Sequence, residues 1–552
     1  MSLSSSAPWR RYYGDLPQNS PDPGKTMYQL LSEAARRYPE LPALWFHGSC
    51  TAYSTLMARV DAAARAFCAL GIGNGDRVTL ALPNCPQVVS CLYGLNRIGA
   101  VANMIHPLSA PGEIAFYLTC SESKAILTLD RFYDKVAAAL PQVAQPCQVL
   151  LTGIGLPRPG GKQVCQAWRR ALSAGKGITL PAQPGDGDDP ALILYSGGTT
   201  GKPKGVVLSS RNLNAMALQT IAAAGFGDLA GMKMLSLMPN FHGFGLGVGI
   251  HTALICGAGC ILVPRFSAKR CARLLLRRKP NIVPGVPALF EALLREDRLK
   301  GKDLSFLKGV FSGGDSLSPA LKGKMDAFLR EHNCHEQIRE GYGTTECVAA
   351  SCLTPRRFAR PGSIGLPYPD TFYKIVTPGT TAEVSPLTEG EICISGPTVM
   401  LGYLNDPQET KAALQRHADG KIWLHTGDLG AMDRDGFVYF RQRLKRLIVT
   451  CGYNVYPSQL ENILESHEKV ARCCVIGVPD DYRGQRVRAY IVPAPGVQPS
   501  ESLKQEILGH CALHIAKFAL PREVEFRTEL PMTPVGKVAY RVLERQALEE
   551  TT

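Results

Sequence analysis

Tyr195-Ser196-Gly197-Gly198-Thr199-Thr200-Gly201-Lys202-Pro203-Lys204-Gly205 follows directly on the apolar run Ala191-Leu192-Ile193-Leu194. Four glycines, three aliphatic hydroxyls and two lysines fall within these eleven positions. That order predicts a buried strand opening into a loop of exposed, permissive backbone, after which Val206-Val207-Leu208 starts a second strand. Glycines let backbone N–H groups approach a phosphate closely, and hydroxyl and ammonium groups add donors. The stretch reads as a polyphosphate holder. It is not the Walker loop, because Lys202 is followed by Pro203 rather than by a metal-binding hydroxyl that opens a helix. The plainer reading is a surface turn between two strands.

The surroundings of the loop set the fold class. Upstream, helical periods (26 to 38, 56 to 70, 86 to 98) alternate with apolar runs at 43 to 46, 76 to 82, 100 to 104, 125 to 127 and 148 to 151. Downstream the rhythm repeats, with a helix over 211 to 225 and strands at 233 to 238, 281 to 283 and 309 to 312. Such alternation implies parallel sheet with crossover helices, an α/β architecture. Residues 155 to 189, rich in Gly, Pro and Asp, read as a long surface connection. After about residue 360, short strands and Gly and Pro turns suggest a small β-rich subdomain. A last pattern of helix 457 to 466, strands 470 to 478 and 485 to 493, and helix 500 to 515 suggests a small α+β unit. The expected organisation is a large part over 1–441, a hinge at 442–446 and a small mobile C-terminal domain over 447–552.

With 552 residues the chain exceeds what one core supports. Its hydrophobic fraction of 45% and charged fraction of 20% are those of an ordinary globular protein. The net charge of +14 is spread along the chain. The densest group, Lys269 to Lys279, alternates with Leu and Ala as a solvated helix face, so nucleic-acid binding is not expected. Eighteen cysteines form no Cys-x-x-Cys pair, which fits reduced thiols and a cytoplasmic location. His332-Asn333-Cys334-His335 could be read as metal ligands, but a surface helix end is the better reading. Met1 to Tyr13 lacks the apolar core of a signal peptide. Phe244 to Val263 carries no Asp, Glu, Lys or Arg, yet five glycines and His251 favour two buried elements joined by a turn over a membrane span.

Further motifs stand at strand ends. Gly341-Tyr342-Gly343-Thr344-Thr345-Glu346 offers backbone and a ring to a planar base, and a hard carboxylate to Mg²⁺. Ser312-Gly313-Gly314-Asp315 permits close approach of a substrate. Asp428, in Thr426-Gly427-Asp428, can accept two neighbouring hydroxyls. His242 sits on the Gly-rich turn Phe241-His242-Gly243-Phe244-Gly245. Pro531-Met532-Thr533-Pro534-Val535-Gly536-Lys537 holds a lysine on a turn stiffened by two prolines. Each has a bland alternative: a turn, a capping Asp, a structural His, a surface Lys.

Taken in order, from about residue 28 to 545, these motifs resemble the acyl-adenylate-forming superfamily of acyl-CoA synthetases, luciferases and peptide-synthetase adenylation domains. The pattern is most similar to that of fatty acyl-CoA synthetases. The resemblance implies ATP or AMP binding by Ser196, Gly197, Gly198, Thr200, Gly201, Lys202 and Lys204, by Gly313, Gly314 and Asp315, and by Gly341, Tyr342, Gly343, Thr344, Thr345, Asp428 and Arg443. It implies catalytic roles for Lys537, His242, Glu346 and Thr199, with Glu346 on Mg²⁺. It also implies a hinge at Lys445 and a CoA tunnel formed by Gly452, Tyr453 and Asn454. Three departures are visible. Gly197 stands where a second serine is frequent, Gln442 replaces the hinge glycine, and Arg446 replaces the acid after the hinge lysine. The expected activity is ATP-dependent ligation of a carboxylic acid, medium- or long-chain fatty acid first, to CoA. Loading of an aryl, amino or fatty acid onto a carrier protein is the alternative among enzymes, and a nucleotide-binding pseudoenzyme the alternative outside them. Arg472, Arg483, Arg486 and Arg488 are a candidate basic rim for CoA.

Overall fold

Six parallel strands form the centre of one sheet and six the centre of another, and the nucleotide motifs lie at their ends. The computed structural model describes residues 6–13, 24–153, 165–181, 185–196, 203–450, 453–480, 483–515, 519–533 and 537–550. The first sheet runs in the order Leu366–Pro367, Cys352–Leu353, Ile338–Tyr342, Gly309–Ser312, Ile282–Gly285, Lys233–Ser236, Gly259–Leu262, Pro42–Phe46, Ser49–Ala52. The second runs Gly402–Tyr403, Lys204–Ser209, Pro190–Ser196, Val101–Met104, Arg77–Ala81, Ala125–Leu129, Gln148–Thr152, Cys165–Ala167. Antiparallel strands close both edges of the first sheet and one edge of the second, whose other edge is the parallel strand Cys165–Ala167. Strands covered on both faces must be apolar throughout, and Arg77–Ala81 and Val101–Met104 are buried along nearly their whole length. The expected α/β class is what forms.

The β-rich subdomain is an antiparallel sheet of Phe372–Val376, Gly390–Ser395, Ile422–Met432, Leu414–Arg416 and Val438–Arg443. The C-terminal part builds its own sheet from Tyr453–Val455, Ile448–Thr450, Gly484–Pro493, Val470–Asp480 and Glu523–Phe526. Its helices cover separate apolar clusters around Leu460, Val475 and Ile507 and around Ile476, Tyr490 and Leu543.

The reading of 155 to 189 as bare connection needs correction. Its described portion holds a strand, Cys165–Ala167, and a helix, Trp168–Ala174. Trp168 is buried with its ring centroid 5.0 Å from that of Phe67, so one aromatic anchor orders a segment whose composition signals only turns. A helix over Pro111–Ser121 also forms between two strands where sequence periodicity is weak.

Phe244 to Val263 resolves as buried helix, turn and strand: Phe244–His251 in wide π turns, Thr252–Ile255, then Gly259–Leu262. Among the described residues no helix is long and apolar enough to cross a membrane. His251 bridges Tyr93 Oη, 2.8 Å from its Nδ1, and Asn214 Oδ1, 3.0 Å from its Nε2. Tyr93 O–H donates to Nδ1 and the ring donates from Nε2, which requires the neutral imidazole. Burial lowers its pKa to about 3. The unfolded chain takes up a proton near pH 6.5 that the folded core refuses, so stability is intact above that pH and is lost progressively below it. The expected loss is about 2 kcal/mol between pH 6.5 and pH 5. Urea unfolding of the parent and of His251→Gln at both pH values checks this; the variant should show the shallower pH dependence.

Candidate active site

Two glycine-rich turns are locked together where the first sheet ends. A Cβ on Gly243 would fall 1.6 Å from the Val348 carbonyl oxygen, and one on Gly343 1.6 Å from that of Ala349. Only glycine lets the chain 348–349 pass this close, and Val348 itself is bent to φ +67°. Asn84 fixes the approach, donating to the carbonyls of Ser236 and Met238 at 3.0 and 2.8 Å and accepting from Asn240 N–H at 3.0 Å. His242 is thereby turned inward, its Nδ1 accepting from Phe244 N–H at 3.2 Å. Burial, then the Lys537 ammonium, lower its pKa to about 4, so it is neutral at physiological pH.

The cleft between these turns, with the open solvent at its mouth, has about 950 Å³ of empty space. At one end stand Gly313, Gly341, Tyr342, Thr345, Arg443 and Lys537. At the other stand Ile221, Ala224, Phe226, Leu229, Met234 and Phe311. The inner part carries no charged side chain. Its two threonines turn their hydroxyls to backbone, Thr220 to Met216 O at 2.7 Å and Thr252 to Gly247 O at 2.9 Å. Apart from the Ser312 hydroxyl, which is buried without a hydrogen-bond partner, what remains to meet a ligand is hydrocarbon and ring.

The polar end is a network. Tyr342 O–H donates to Asp428 Oδ2 at 2.7 Å, and Arg443 Nε lies 3.4 Å from Asp428 Oδ1. Oδ1 has no hydrogen-bond partner although it is buried. Burial raises the Asp428 pKa against the pull of Arg443. A buried acceptor without a donor costs about 1–3 kcal/mol, so Asp428 is poised for a hydroxyl such as those of a ribose. Glu391 supports it from behind, accepting Gly427 N–H at 2.9 Å. Burial lowers the Lys537 pKa, while Asp315 and Asp428 hold it up. Its loop is clamped locally: Lys537 N–H donates to Thr533 Oγ1 at 3.0 Å and Thr533 N–H to Lys537 O at 2.7 Å.

Glu346 accepts from Tyr403 O–H at 3.0 Å through Oε1. Its Oε2 has no partner among the described residues, so a hard cation fits the donor set. Lys204 lies over the Tyr403 ring, 4.9 Å from its centroid, and pairs with Glu409. The structure therefore gathers His242, Gly313, Gly341, Tyr342, Gly343, Thr344, Thr345, Asp428, Arg443 and Lys537, with Gly314 also lining the cleft. Asp315 is exposed at its edge. Ser196 ends its strand beside Lys204. Gly197, Gly198, Thr199, Thr200, Gly201, Lys202 and Gly452 lie outside the described residues, as do the side chains of Lys445, Tyr453 and Asn454.

The departures around the hinge have separate outcomes. Gln442 is buried with both amide atoms unpaired. Arg446 pairs with Glu461 at 2.5 Å, donates to Val475 O at 3.2 Å and lies over the Tyr540 ring at 4.7 Å, so its charge is met within the C-terminal part. Three arginines of the candidate basic rim have acidic partners. Arg486 pairs with Glu523, Arg488 with Glu525 and Glu550, and Arg472 reaches Glu291 of the large part at 3.2 Å. Those acids lie on strands and helices distant in sequence, which no local reading could pair. Asn84, Glu391, Tyr403 and the pocket wall from the helix Ser210–Ala224 were missed for the same reason. His332 does end the helix Pro319–Glu331, but it and Cys334 are buried rather than at the surface, and both its ring nitrogens meet backbone carbonyls, of Phe328 and Leu299.

A nucleotide-sized polar end continuous with an apolar channel is the layout of an enzyme that activates a carboxylate through its adenylate. Residues 31–404 match the model of the AMP-binding enzyme family, and residues 459–537 that of the AMP-binding enzyme C-terminal domain. The chain belongs to the AMP-binding enzyme family, the acyl-adenylate-forming superfamily, and is of the AMP-forming acyl-CoA synthetase type. It is 33% identical to a long-chain-fatty-acid–CoA ligase of Bacillus subtilis (strain 168), an alignment covering 100% of this chain and 99% of the relative. A fatty acid–[acyl-carrier-protein] ligase, ScoC, of Streptomyces coeruleorubidus is 31% identical over 94% of this chain and 96% of its own. Among solved structures, ATP-bound MatB from Rhodopseudomonas palustris superposes with a TM-score of 0.82 at 26% identity, covering 96% of this chain and 100% of that one.

Proposed function

We propose that this chain is an ATP-dependent ligase that joins a medium- or long-chain fatty acid to CoA, releasing AMP and pyrophosphate. The observation that carries this reading is the channel from His242 and Gly313 to Leu229 and Met234, which contains no charged side chain beyond its mouth. An amino acid or a dicarboxylic acid would bring a charge into it unpaired, at a cost of several kcal/mol.

In this reading residues 1–441 bind ATP and acid, 442–446 serve as hinge with Lys445 at its pivot, and 447–552 bring Lys537 to the reaction. Ser196 to Lys204 hold the β- and γ-phosphates, with Thr199 among the donors, and Lys204 must exchange Glu409 for phosphate to take part. Gly313, Gly314, Asp315 and the segment Gly341 to Thr345 flank the base. Asp428 and Arg443 take the ribose hydroxyls. Glu346 would hold Mg²⁺, which supplies charge neutralisation of the phosphates. Lys537 stabilises the charge that builds as the substrate carboxylate attacks the α-phosphorus, a task of electrostatic positioning. His242 is held neutral at the mouth, where the acyl carbonyl and the thiol meet. Gly452, Tyr453 and Asn454 form the thiol tunnel after the small domain turns. The 16 cysteines whose side chains are described are all free, in keeping with a cytoplasmic setting.

A second reading is loading of a carrier protein. The carrier-protein ligase among the relatives favours it, as does the pairing of Arg472, Arg486 and Arg488, which leaves less free charge for the nucleotide end of CoA. Saturated acids of graded length and benzoate, each assayed for AMP and thioester with CoA and with a pantetheinylated carrier, test both. Turnover rising to the longer acids with CoA is the expected result. Turnover confined to the carrier would replace the assignment. Filling the channel gives a sharper check. Ala224 is buried between Tyr368 and Phe311, and Ala224→Phe should reduce kcat/KM for the longest accepted acids by about 10–100-fold while sparing short ones. Equal loss at all lengths would mean that the tail does not reach this wall.

A further inference from the structure

The antiparallel sheet behind Asp428 carries a buried cluster that the adenylation site does not use. Register sets Cys393 opposite both Lys374 and His425 on neighbouring strands, so the three side chains share one face. The turn after Leu414–Arg416 folds His417 back over them. The sulfur of Cys393 and one ring nitrogen each from His417 and His425 lie within 4.8 Å of one another. The two nitrogens are the Nε2 atoms, which face each other at 3.0 Å. Their opposite ring nitrogens have partners: His425 Nδ1–H donates to Glu391 Oε2 at 2.9 Å, and His417 Nδ1 is 3.4 Å from Lys374 Nζ.

We propose that Cys393, His417 and His425 bind one zinc ion, a site separate from the magnesium site at Glu346, which fastens the 417–421 turn beneath the Thr426-Gly427-Asp428 segment. Thiolate and imidazole together are ligands of zinc rather than of magnesium or calcium. Two nitrogens about 2.0–2.1 Å from a tetrahedral zinc stand roughly 3.3 Å apart, so the nitrogen pair needs a slight opening, while the sulfur must settle about 3.6 Å from each nitrogen. Glu391 plays the part of the carboxylate that orients a ligating histidine through its far nitrogen. The same carboxylate accepts Gly427 N–H through Oε1, which links the ligand to the backbone beside Asp428.

Charge points the same way. Lys374 pairs with Asp419 at 3.0 Å, and Glu391 stands with them. With thiol and imidazoles neutral, two carboxylates face one ammonium. A dication that displaces the thiol proton to solvent makes the cluster neutral. His417 then carries its proton on Nδ1, so its contact with the Lys374 ammonium opens and Lys374 stays with Asp419 alone. A water completes the fourth position. The three ligands come from separate strands and a turn, so no pair spacing in the sequence announces them.

The full-length protein, stripped with a chelator and dialysed, is titrated with Zn²⁺ against a chromophoric competitor and separately with Co²⁺. The expected result is one equivalent bound tightly, with release of a proton and thiolate-to-cobalt charge-transfer absorption. Cys393→Ser and His417→Gln should each abolish that equivalent although the other cysteines remain. Binding without thiolate absorption, an unchanged equivalent in both variants, or no tight binding by the parent overturns the site. The cobalt spectrum of the parent decides the matter even if either variant folds poorly.

Discussion

Lys537→Ala should slow acid-dependent exchange of pyrophosphate into ATP by roughly 10²–10³-fold, the usual effect of removing one charge-stabilising donor. The same variant should convert a supplied acyl-adenylate and CoA to thioester at close to the parent rate. The split follows from placement. In this arrangement the ammonium group shares the polar end of the cleft with Asp315, Asp428 and Arg443, where the proposed reaction would build charge only while the adenylate forms or reverts. The loop itself is held by backbone and by Thr533 Oγ1, so truncating the side chain leaves the clamp in place. Parallel loss of both half-reactions would show that Lys537 supports the fold or both steps.

Glu346→Gln is the second large effect. It preserves shape and the contact with Tyr403 O–H but removes the charge that a hard cation requires. Adenylation should fall by about 10²-fold or more at ordinary Mg²⁺ and recover in part as Mg²⁺ is raised. Thermal unfolding without nucleotide should stay near that of the parent, because Met400 N–H bonds the Glu346 backbone carbonyl rather than its side chain. A rate unchanged at every Mg²⁺ concentration would remove Glu346 from the metal.

Both residues, and most of the nucleotide end, were legible from sequence because they lie on short glycine-rich turns at strand ends. There local backbone permissiveness, an apolar run and a charged residue occur together within a few positions. The expected α/β class followed from periodicity for a similar reason, since a strand covered on both faces must be continuously apolar. The segment 155 to 189 misled because a single buried aromatic, Trp168, outweighs the turn composition around it. The ion pairs of the candidate basic rim were not legible because Glu523, Glu525 and Glu550 come from other elements to meet Arg486 and Arg488.

By itself, then, the sequence determined the layered architecture, the order of the motifs and the residue types available at the nucleotide end, all consequences of short-range chemistry. Tertiary structure alone decided what those residues touch. It set the uncharged channel assembled from the helix Ser210–Ala224 and the strands Lys233–Ser236, Ile282–Gly285 and Gly309–Ser312. It set the pairing of Asp428 with Tyr342 and Arg443, and it brought Cys393, His417 and His425 together across one sheet face. The physical reason is that burial and charge pairing depend on distance in space, and residues dozens to hundreds of positions apart become neighbours only when the sheets close.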